Sequence, residues 1–359
     1  MGPGNGRRVL VIGWDGADWR VIRPLLERGR MPVLRRLMQS GVHGNIATLS
    51  PALSPMLWTS IATGKRPYKH GVLGFTEPSL DGSSVRPVSN RSRTARAIWN
   101  MLHLAGRSSI VTGWWPSHPA EPIRGVMVSN HFQRAPTTSD PQRWPIAPGS
   151  VHPDRLADPL SEFRFHPLEL TGDHLLPFLP RLEEIDQAND QRVMSLAKIV
   201  SEITSVHGVA TALMQTEPWD FMSVYYDGID HFSHAFMRYH PPRQEWIDER
   251  DFDLYRDVVE AGYRYHDMML GALLALAGEE TTVVLLSDHG FHPDHLRWRD
   301  VPVEPAGPAV EHRDLGIFVM RGPGVRAGGE VHGVSVLDIA PTVLAAMGLP
   351  VGDDMDGKP

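Results

Sequence analysis

The chain has 359 residues, of which 42 % are hydrophobic, so it is long enough for one large α/β domain or two smaller ones around a substantial apolar core. Its formal net charge is −7 and its arginines are scattered, which argues against a nucleic-acid polymer as a partner. Because the sequence contains no cysteine, disulfides and thiolate metal sites are excluded, and the strong metal ligands left are aspartates, glutamates and the 18 histidines.

Apolar runs and helical periodicities alternate along the chain. Residues 8–14 (RVLVIGW) predict a buried strand, and a helical pattern follows over 19–38 with an interruption at Pro32. Further strands are predicted over 108–115, 125–130, 220–226, 281–287 and 316–320, and further helices over 93–106, 189–214 and 255–277. This alternation predicts an α/β fold with a mostly parallel central sheet flanked by helices on both faces.

Residues 131–188 depart from this alternation. They are rich in proline, histidine and aspartate and show little periodicity, so we expect an irregular insertion or small cap within a single catalytic domain that spans 1–359. The apolar run near the N-terminus ends at an aspartate after a few residues, too short for a signal-peptide core or a membrane span. We therefore expect a cytoplasmic protein without a membrane segment; the sequence gives no indication of its oligomeric state.

Three of the predicted strands are followed by an aspartate, namely Asp15, Asp227 and Asp288. Since the carboxyl ends of parallel strands form the sites of open α/β sheets, these carboxylates are expected at one edge. Two of them bring a histidine, because His231 follows four residues after Asp227 in DGIDH and His289 directly follows Asp288 in SDHG. Each segment thus offers a carboxylate oxygen and an imidazole nitrogen to a metal ion.

A sixth candidate is His332, in the glycine-flanked segment GEVHG. The six residues are enough for two metal ions with three protein ligands each. Taken singly, each aspartate could equally be a helix cap or turn residue and each histidine a solvated loop residue; the recurrence of strand, aspartate and histidine favours a site. Four other histidines are expected to lie near this edge, most of them as loop residues or as neighbours of the ligands: His234, His292, His295 and His312.

The segment SPALSPMLWTSIATG, residues 50–64, offers a hydroxyl at a helix start. Pro55 suits the first position of a helix, which predicts Ser54 as its N-cap. A helix N-terminus also binds phosphate, and a hydroxyl whose pKa is lowered by a metal becomes a nucleophile. Both roles for Ser54 remain open from the local sequence.

Five segments, in this order and spacing, resemble the type I phosphodiesterase/nucleotide pyrophosphatase family of the alkaline phosphatase superfamily: VIGWDGADW, SPMLWTSIATGKRPYKHGVLGF, YYDGIDH, LLSDHGF and VHGVSVLDIAPTVLAAMGLP. The resemblance covers nearly the whole chain except 131–188. It implies an alkaline phosphatase-like fold and a metal-dependent hydrolase of phosphoric esters, above all phosphodiesters, acting on a small substrate.

The resemblance also implies roles for individual residues. Ser54 corresponds to the family's nucleophilic hydroxyl, which forms a covalent phosphoseryl intermediate. Two divalent metal ions are expected, zinc by the ligand types, with manganese also suited. The ligands of the ion that binds the nucleophile correspond to Asp15, Asp288 and His289 together with Ser54, and those of the other ion to Asp227, His231 and His332.

The match departs from the family at Phe75, where nucleotide pyrophosphatases carry an asparagine that contacts the phosphoryl oxygen; Asn130 or a loop histidine is a candidate substitute. Trp114 and Trp115 are hypothesised to form a wall for the leaving group, with a role as core aromatics as the alternative. The alternative functions are a phosphomonoesterase or mutase with the same metals and a non-catalytic metal-binding homologue. A sulfatase is disfavoured, because Pro55 directly follows Ser54 and no arginine stands in the register of the sulfatase motif.

Overall fold

A computed structural model describes residues 7–134, 144–304 and 306–359. Its strands, numbered in chain order, are β1 Val9–Trp14, β2 Val42–Ala47, β3 Thr76–Pro78, β4 Val85–Pro87, β5 Ser109–Thr112, β6 Gly125–Val128, β7 Val151–His152, β8 Phe221–Tyr226, β9 Thr282–Leu286, β10 Gly290–Phe291, β11 His312–Arg313, β12 Leu315–Arg321 and β13 Gly329–Ser335. Its α-helices are α1 Trp19–Glu27, α2 Pro32–Gln39, α3 Ser54–Thr63, α4 Pro67–His70, α5 Ile98–Leu104, α6 Ala157–Ser161, α7 Gly172–Leu175, α8 Arg192–Thr216, α9 Gly228–Phe236, α10 Glu249–Tyr255, α11 Val258–Ala277 and α12 Ile339–Ala346.

Nine of the strands form one mixed sheet in the order β13-β2-β12-β9-β1-β8-β5-β6-β7. The middle of the sheet, from β9 through β1, β8 and β5 to β6, is parallel, whereas β12 runs antiparallel to both β2 and β9, and β7 runs antiparallel to β6. The predicted mostly parallel sheet is therefore confirmed. The strands β9, β1 and β8 are adjacent, so the turns that follow them meet at one edge.

Side chains of the central strands alternate between two apolar cores, one on each face of the sheet. Leu10, Ile12 and Tyr226 pack with helices α1, α2, α8, α9 and α11 on one face. Val11 and Tyr225 pack with helices α3, α5 and α12 on the other. Burial on both faces explains why these strands are continuous apolar runs in the sequence.

All six predicted strands are present, and the helical pattern over 19–38 is divided into α1 and α2, with Pro32 at the first position of the second helix. The strands of the main sheet that the pattern missed are partly exposed, and β10, although buried, has only two residues. β2 (VHGNIA) and β13 (GEVHGVS) include polar residues and glycines and lie at the end of the sheet. Without an apolar run or a clean alternation, their sequences carry no strand signal.

The segment expected as an insertion contributes β7 to the edge of the main sheet, followed by short helices α6 and α7 that pack on the core of one face. Its residues 135–143 lie outside the described residues, and its definition as an insertion in a single domain stays a prediction. Among the helices in the described parts of the chain, none combines the length and the apolar character needed to cross a bilayer.

Candidate metal centre and nucleophile

Ser54 is the first residue of α3 and is 3 % exposed. The N-cap position belongs to Leu53, and the structure shows no side-chain cap bond there, so the expectation that Ser54 caps the helix is corrected. Its Oγ instead donates to Asp15 Oδ1 at 3.3 Å and lies 3.4 Å from His289 Nε2. The hydroxyl therefore points at the edge of the sheet rather than at the free N–H groups of its own helix.

Asp15 follows β1 and is held in one orientation by two donors. The Tyr225 hydroxyl donates to Asp15 Oδ2 at 2.6 Å, and the Trp58 indole Nε1 donates to the same oxygen at 2.9 Å. Because Oδ2 is occupied, Oδ1 faces Ser54 and His289, whose Nε2 lies 3.2 Å away. Burial raises the pKa of Asp15, but the bonds from His289 and Tyr225 outweigh it and lower the pKa overall.

Asp288 and His289 follow β9, the strand beside β1, and both are fully buried. The His289 Nδ1 bonds to the Gly290 carbonyl at 3.0 Å, which directs Nε2 toward Asp15 and Ser54. Burial and the charge of Asp15 raise the pKa of Asp288 well above its usual value. Burial lowers the pKa of His289, yet the adjacent carboxylates of Asp288 and Asp15 raise it to about 10.

A second group consists of Asp230, His234 and His312. Asp230 Oδ1 lies 3.3 Å from His234 Nε2 and 3.5 Å from His312 Nε2, and the two Nε2 atoms are 3.1 Å apart. Ligands about 2.1 Å from a tetrahedral zinc ion are separated by roughly 3.4 Å, so this spacing fits a shared cation.

The second nitrogen of each histidine in this group has its own partner. His234 Nδ1 lies 2.7 Å from Glu311 Oε2, and His312 Nδ1 bonds to the Ala52 carbonyl at 2.9 Å. These contacts direct both Nε2 atoms toward Asp230, as is typical of metal-bound histidines. His234 and His312 are therefore candidate ligands, whereas the sequence predicts most of the histidines near this edge only as neighbours of the ligands.

The two groups are adjacent. Asp15, Asp230 and His289 place ligand atoms within 4.8 Å of one another, and the His289 and His312 rings stack with centroids 3.7 Å apart. Gly16, at φ +72°, permits this approach, because a Cβ at this position would lie 3.1 Å from Asp230 Cα.

The structure does not bring all predicted ligands to this edge. Asp227 precedes the first turn of α9, and its carboxylate lies within 4.8 Å of ligand atoms of His231 and of Glu202, which belongs to α8. The pairs Asp227/His231 and Asp230/His234 have the same four-residue spacing but start three residues apart, about 60° around a helix. Only the second pair meets Asp15.

His332 lies on β13, at the far end of the sheet, with its side chain 85 % exposed and its nearest charged partner, Glu330, 4.0 Å away. An exposed position on the end strand separates it from the turns after β1, β8 and β9. His312 of β11, by contrast, lies beside Asp230 and stacks on His289. The signals for the missed residues are the second D-x-x-x-H within YYDGIDHFSH and the histidine three residues before β12 begins.

The described residues fit a pair of divalent cations. Both carboxylate oxygens of Asp288 and Oδ1 of Asp230 are buried without a hydrogen-bond partner among the residues that the structure describes. With Asp15 they place three largely buried carboxylates near one another, where like charges are costly unless cations compensate them. Carboxylate oxygen and imidazole nitrogen are the donors that zinc and manganese accept.

The aromatic residues divide between core and site. Trp114 is 1 % exposed, donates to the Trp58 carbonyl at 3.2 Å and packs in the core, so its proposed role as a wall for the leaving group is corrected. Trp115 lines a cavity beside Tyr225 and packs against Phe75, with ring centroids 5.5 Å apart. Asn130 lines the same cavity while its Oδ1 accepts from Ser117 and His118 backbone N–H groups.

The family model for type I phosphodiesterase/nucleotide pyrophosphatase matches residues 9–304. No curated protein matches the chain. Human ectonucleotide pyrophosphatase/phosphodiesterase 5 shares the fold with a TM-score of 0.53 at 11 % identity, covering 98 % of this chain and 97 % of that one. The murine protein, solved as an inactive variant in complex with AMP, has a TM-score of 0.53 at 11 % identity, covering 96 % of each chain. A 2-O GAG sulfatase has a TM-score of 0.56 at 13 % identity, covering 98 % of this chain and 73 % of that one.

Proposed function

Because the chain belongs to the type I phosphodiesterase/nucleotide pyrophosphatase family of the alkaline phosphatase superfamily, and so to the hydrolases of phosphoric esters, we propose that it cleaves phosphodiesters through a covalent phosphoseryl intermediate on Ser54. The observation that carries the proposal is the Ser54 hydroxyl. It is buried at a helix start, within 3.4 Å of both Asp15 and His289. His289 lies 3.6 Å from Asp288, whose carboxylate oxygens have no hydrogen-bond partner among the described residues.

Two divalent cations are part of the proposal. Asp15, Asp288 and His289 would hold one beside Ser54, and a second would be held by Asp230, His234 and His312. Bound there, the cations would lower the pKa of the Ser54 hydroxyl and offset the charge of the phosphoryl oxygens. Zinc is favoured by the donor types, and manganese is also suited.

The chain's own residues position the reacting groups. Ser54 Oγ forms a bond to phosphorus while the bond from phosphorus to the leaving alcohol breaks, and the first turn of α3 directs its positive dipole end at the phosphoryl group. Water then cleaves the phosphoserine and restores the hydroxyl. Tyr225 and Trp58 keep the Asp15 carboxylate in place throughout, so little reorganisation is needed at the moment of reaction.

The surroundings favour a diester over a monoester. A cavity of about 260 Å³ adjoins Tyr225 and is lined in part by Trp115 and Asn130. A phosphodiester carries a second ester substituent that needs such a space, whereas a phosphomonoester does not. Phosphomonoesterase or mutase activity with the same metals is the second candidate, supported by the same Ser54 geometry.

The test compares hydrolysis of a bis-nitrophenyl phosphodiester, a nitrophenyl phosphomonoester and a nitrophenyl sulfate by protein stripped of metal and supplied with zinc or manganese. Ser54→Ala should lower diester cleavage by at least about 1000-fold, because the nucleophile is gone. Ser60→Ala is the matched control, since Ser60 is also buried on α3 but bonds to the Met56 carbonyl and His70. Equal loss in both variants, or faster cleavage of monoester or sulfate, would contradict the proposal.

The covalent intermediate has its own test. Acid quenching during turnover and peptide mass spectrometry should find phosphoserine at Ser54 in the wild type and none in Ser54→Ala. Rapid diester turnover with no phosphoserine at any quench time, and with inversion at phosphorus, would favour direct attack by water instead.

A further inference from the structure

The third group of potential ligands, Glu202, Asp227 and His231, lies outside the site described above. It joins α8, which carries Glu202, to the start of α9, where Asp227 directly precedes the helix and His231 lies in the first turn. Its carboxylate oxygens and imidazole nitrogen lie within 4.8 Å of one another. The three side chains line the cavity of about 260 Å³ beside Tyr225.

The charge of this group is poorly compensated within the described part of the chain. Glu202 is only 6 % exposed, and the nearest cationic group in an ion pair with it, Lys198 Nζ, is 4.0 Å away. Asp227 Oδ2 lies 3.9 Å from His231 Nδ1. Both separations exceed a hydrogen bond, and a buried carboxylate without close compensation is costly.

A further side chain lines the cavity and lacks a partner. Gln133 is 3 % exposed, and its Oε1 has no hydrogen-bond partner among the described residues. A buried amide oxygen in this position requires a donor or a cation. The same cavity is lined by two carboxylates and an imidazole, which are donors of the kind that manganese and zinc accept.

We propose that Glu202, Asp227 and His231 bind a third divalent cation, separate from the pair at Ser54, in the cavity that Gln133 also lines. A cation there would cross-link α8 to the beginning of α9, the helix that carries Asp230 and His234. Its binding would therefore stabilise the element that supplies two ligands to the neighbouring group.

The experiment counts ions rather than turnover, and its readout is the loss of one ion relative to wild type, which does not depend on whether the pair at Ser54 binds. Metal-stripped protein is dialysed to equilibrium against increasing manganese, and the bound metal per chain is measured by mass spectrometry. Wild type should saturate at three ions, and Glu202→Gln and His231→Ala at two. Lys198→Ala is the control: if the cation compensates Glu202, this variant should keep three ions and bind the third at least as tightly as wild type.

Thermal unfolding in the same manganese series gives a second readout. The rise in Tm with manganese should be smaller in Glu202→Gln than in wild type, because one of the ions that bind only the folded chain is lost. Saturation at two ions in wild type, His231→Ala and Glu202→Gln alike would overturn the proposal. If Ser54→Ala retains diester cleavage while the third ion is lost in His231→Ala, the catalytic proposal fails and this one stands.

Discussion

Tyr225 is not a candidate metal ligand, but its hydrogen bond to Asp15 should affect how tightly the cation beside Ser54 is bound. Tyr225→Phe removes the 2.6 Å donor to Asp15 Oδ2 and leaves only the Trp58 indole on that oxygen. The ring itself stays, so its packing on Trp58, at a centroid distance of 4.8 Å, is kept.

The magnitude follows from the charge of the acceptor. A hydrogen bond to an ionised group contributes about 1.5–3 kcal/mol, which corresponds to roughly 10- to 100-fold in an equilibrium constant. Because Asp15 Oδ1 is directed at the site by the bonds on Oδ2, we expect the affinity for the cation beside Ser54 to fall by about that factor, in line with the effect of other groups that orient ligands.

The assay is metal affinity by competition with a chelator, together with kcat/KM for diester cleavage. Tyr226→Phe is the matched control, because Tyr226 is the next residue of β8, faces the opposite core and bonds through its hydroxyl to His207 Nδ1 at 2.9 Å. It should lose about 1 kcal/mol of unfolding free energy and keep its metal affinity. If the two variants bind metal equally well, Asp15 is not oriented by Tyr225 and the reasoning is refuted.

Three further changes test other parts of the structure. His312→Ala should remove one bound ion and most activity, whereas His332→Ala should change neither. If a metal count gives the reverse result, His332 is the ligand, as the sequence predicts. Gly16→Ala should cost at least about 1 kcal/mol of unfolding free energy and weaken metal binding, since φ is +72° and the new Cβ would contact Asp230. Gly29→Ala is the control, because φ is +68° there but no atom lies near the new Cβ, so only the backbone strain should lower its stability. Equal metal affinity in the two variants would show that the contact with Asp230 does not matter. Burial lowers the pKa of His266 to about 4 from the ordinary 6.5, so the unfolded chain takes up the proton first and the stabilisation present above pH 6.5, up to about 3 kcal/mol, is lost as the pH falls toward 4. His266→Gln should show a shallower fall in stability between pH 7.5 and 4.5 in urea unfolding, and an unchanged slope would show that His266 does not titrate in this way.

The central strands and the aspartates at their ends could be predicted because each is determined locally. A strand buried on both faces needs a continuous apolar run, as in β1 and β9, and Asp15 and Asp288 directly follow such runs. No comparable signal exists for β2 and β13, whose pairing depends on neighbours far away in the chain.

The second group of ligands illustrates why spacing alone was insufficient. The segment DGIDHFSH contains two aspartate–histidine pairs with the same separation, and the sequence offers no reason to prefer the later one. The choice depends on the rotation of α9 against the sheet, which is set by packing of that helix on α8 and α11. For His312 the decisive contact is the one from its Nδ1 to the Ala52 carbonyl, a residue 260 positions away.

The position of Trp58 limits which residues the strand beside the metal centre can carry. Ser54 and Trp58 are four residues apart on α3, so the nucleophile and one of the groups that fix Asp15 belong to the same rigid helix. The indole ring leaves no room for a side chain on the facing strand, since a Cβ at Gly13 would lie 2.5 Å from it. Gly13 therefore lets the strand and the helix approach closely. Any larger residue there would displace the Ser54 hydroxyl and the Trp58 indole together, away from the Asp15 carboxylate to which both bond.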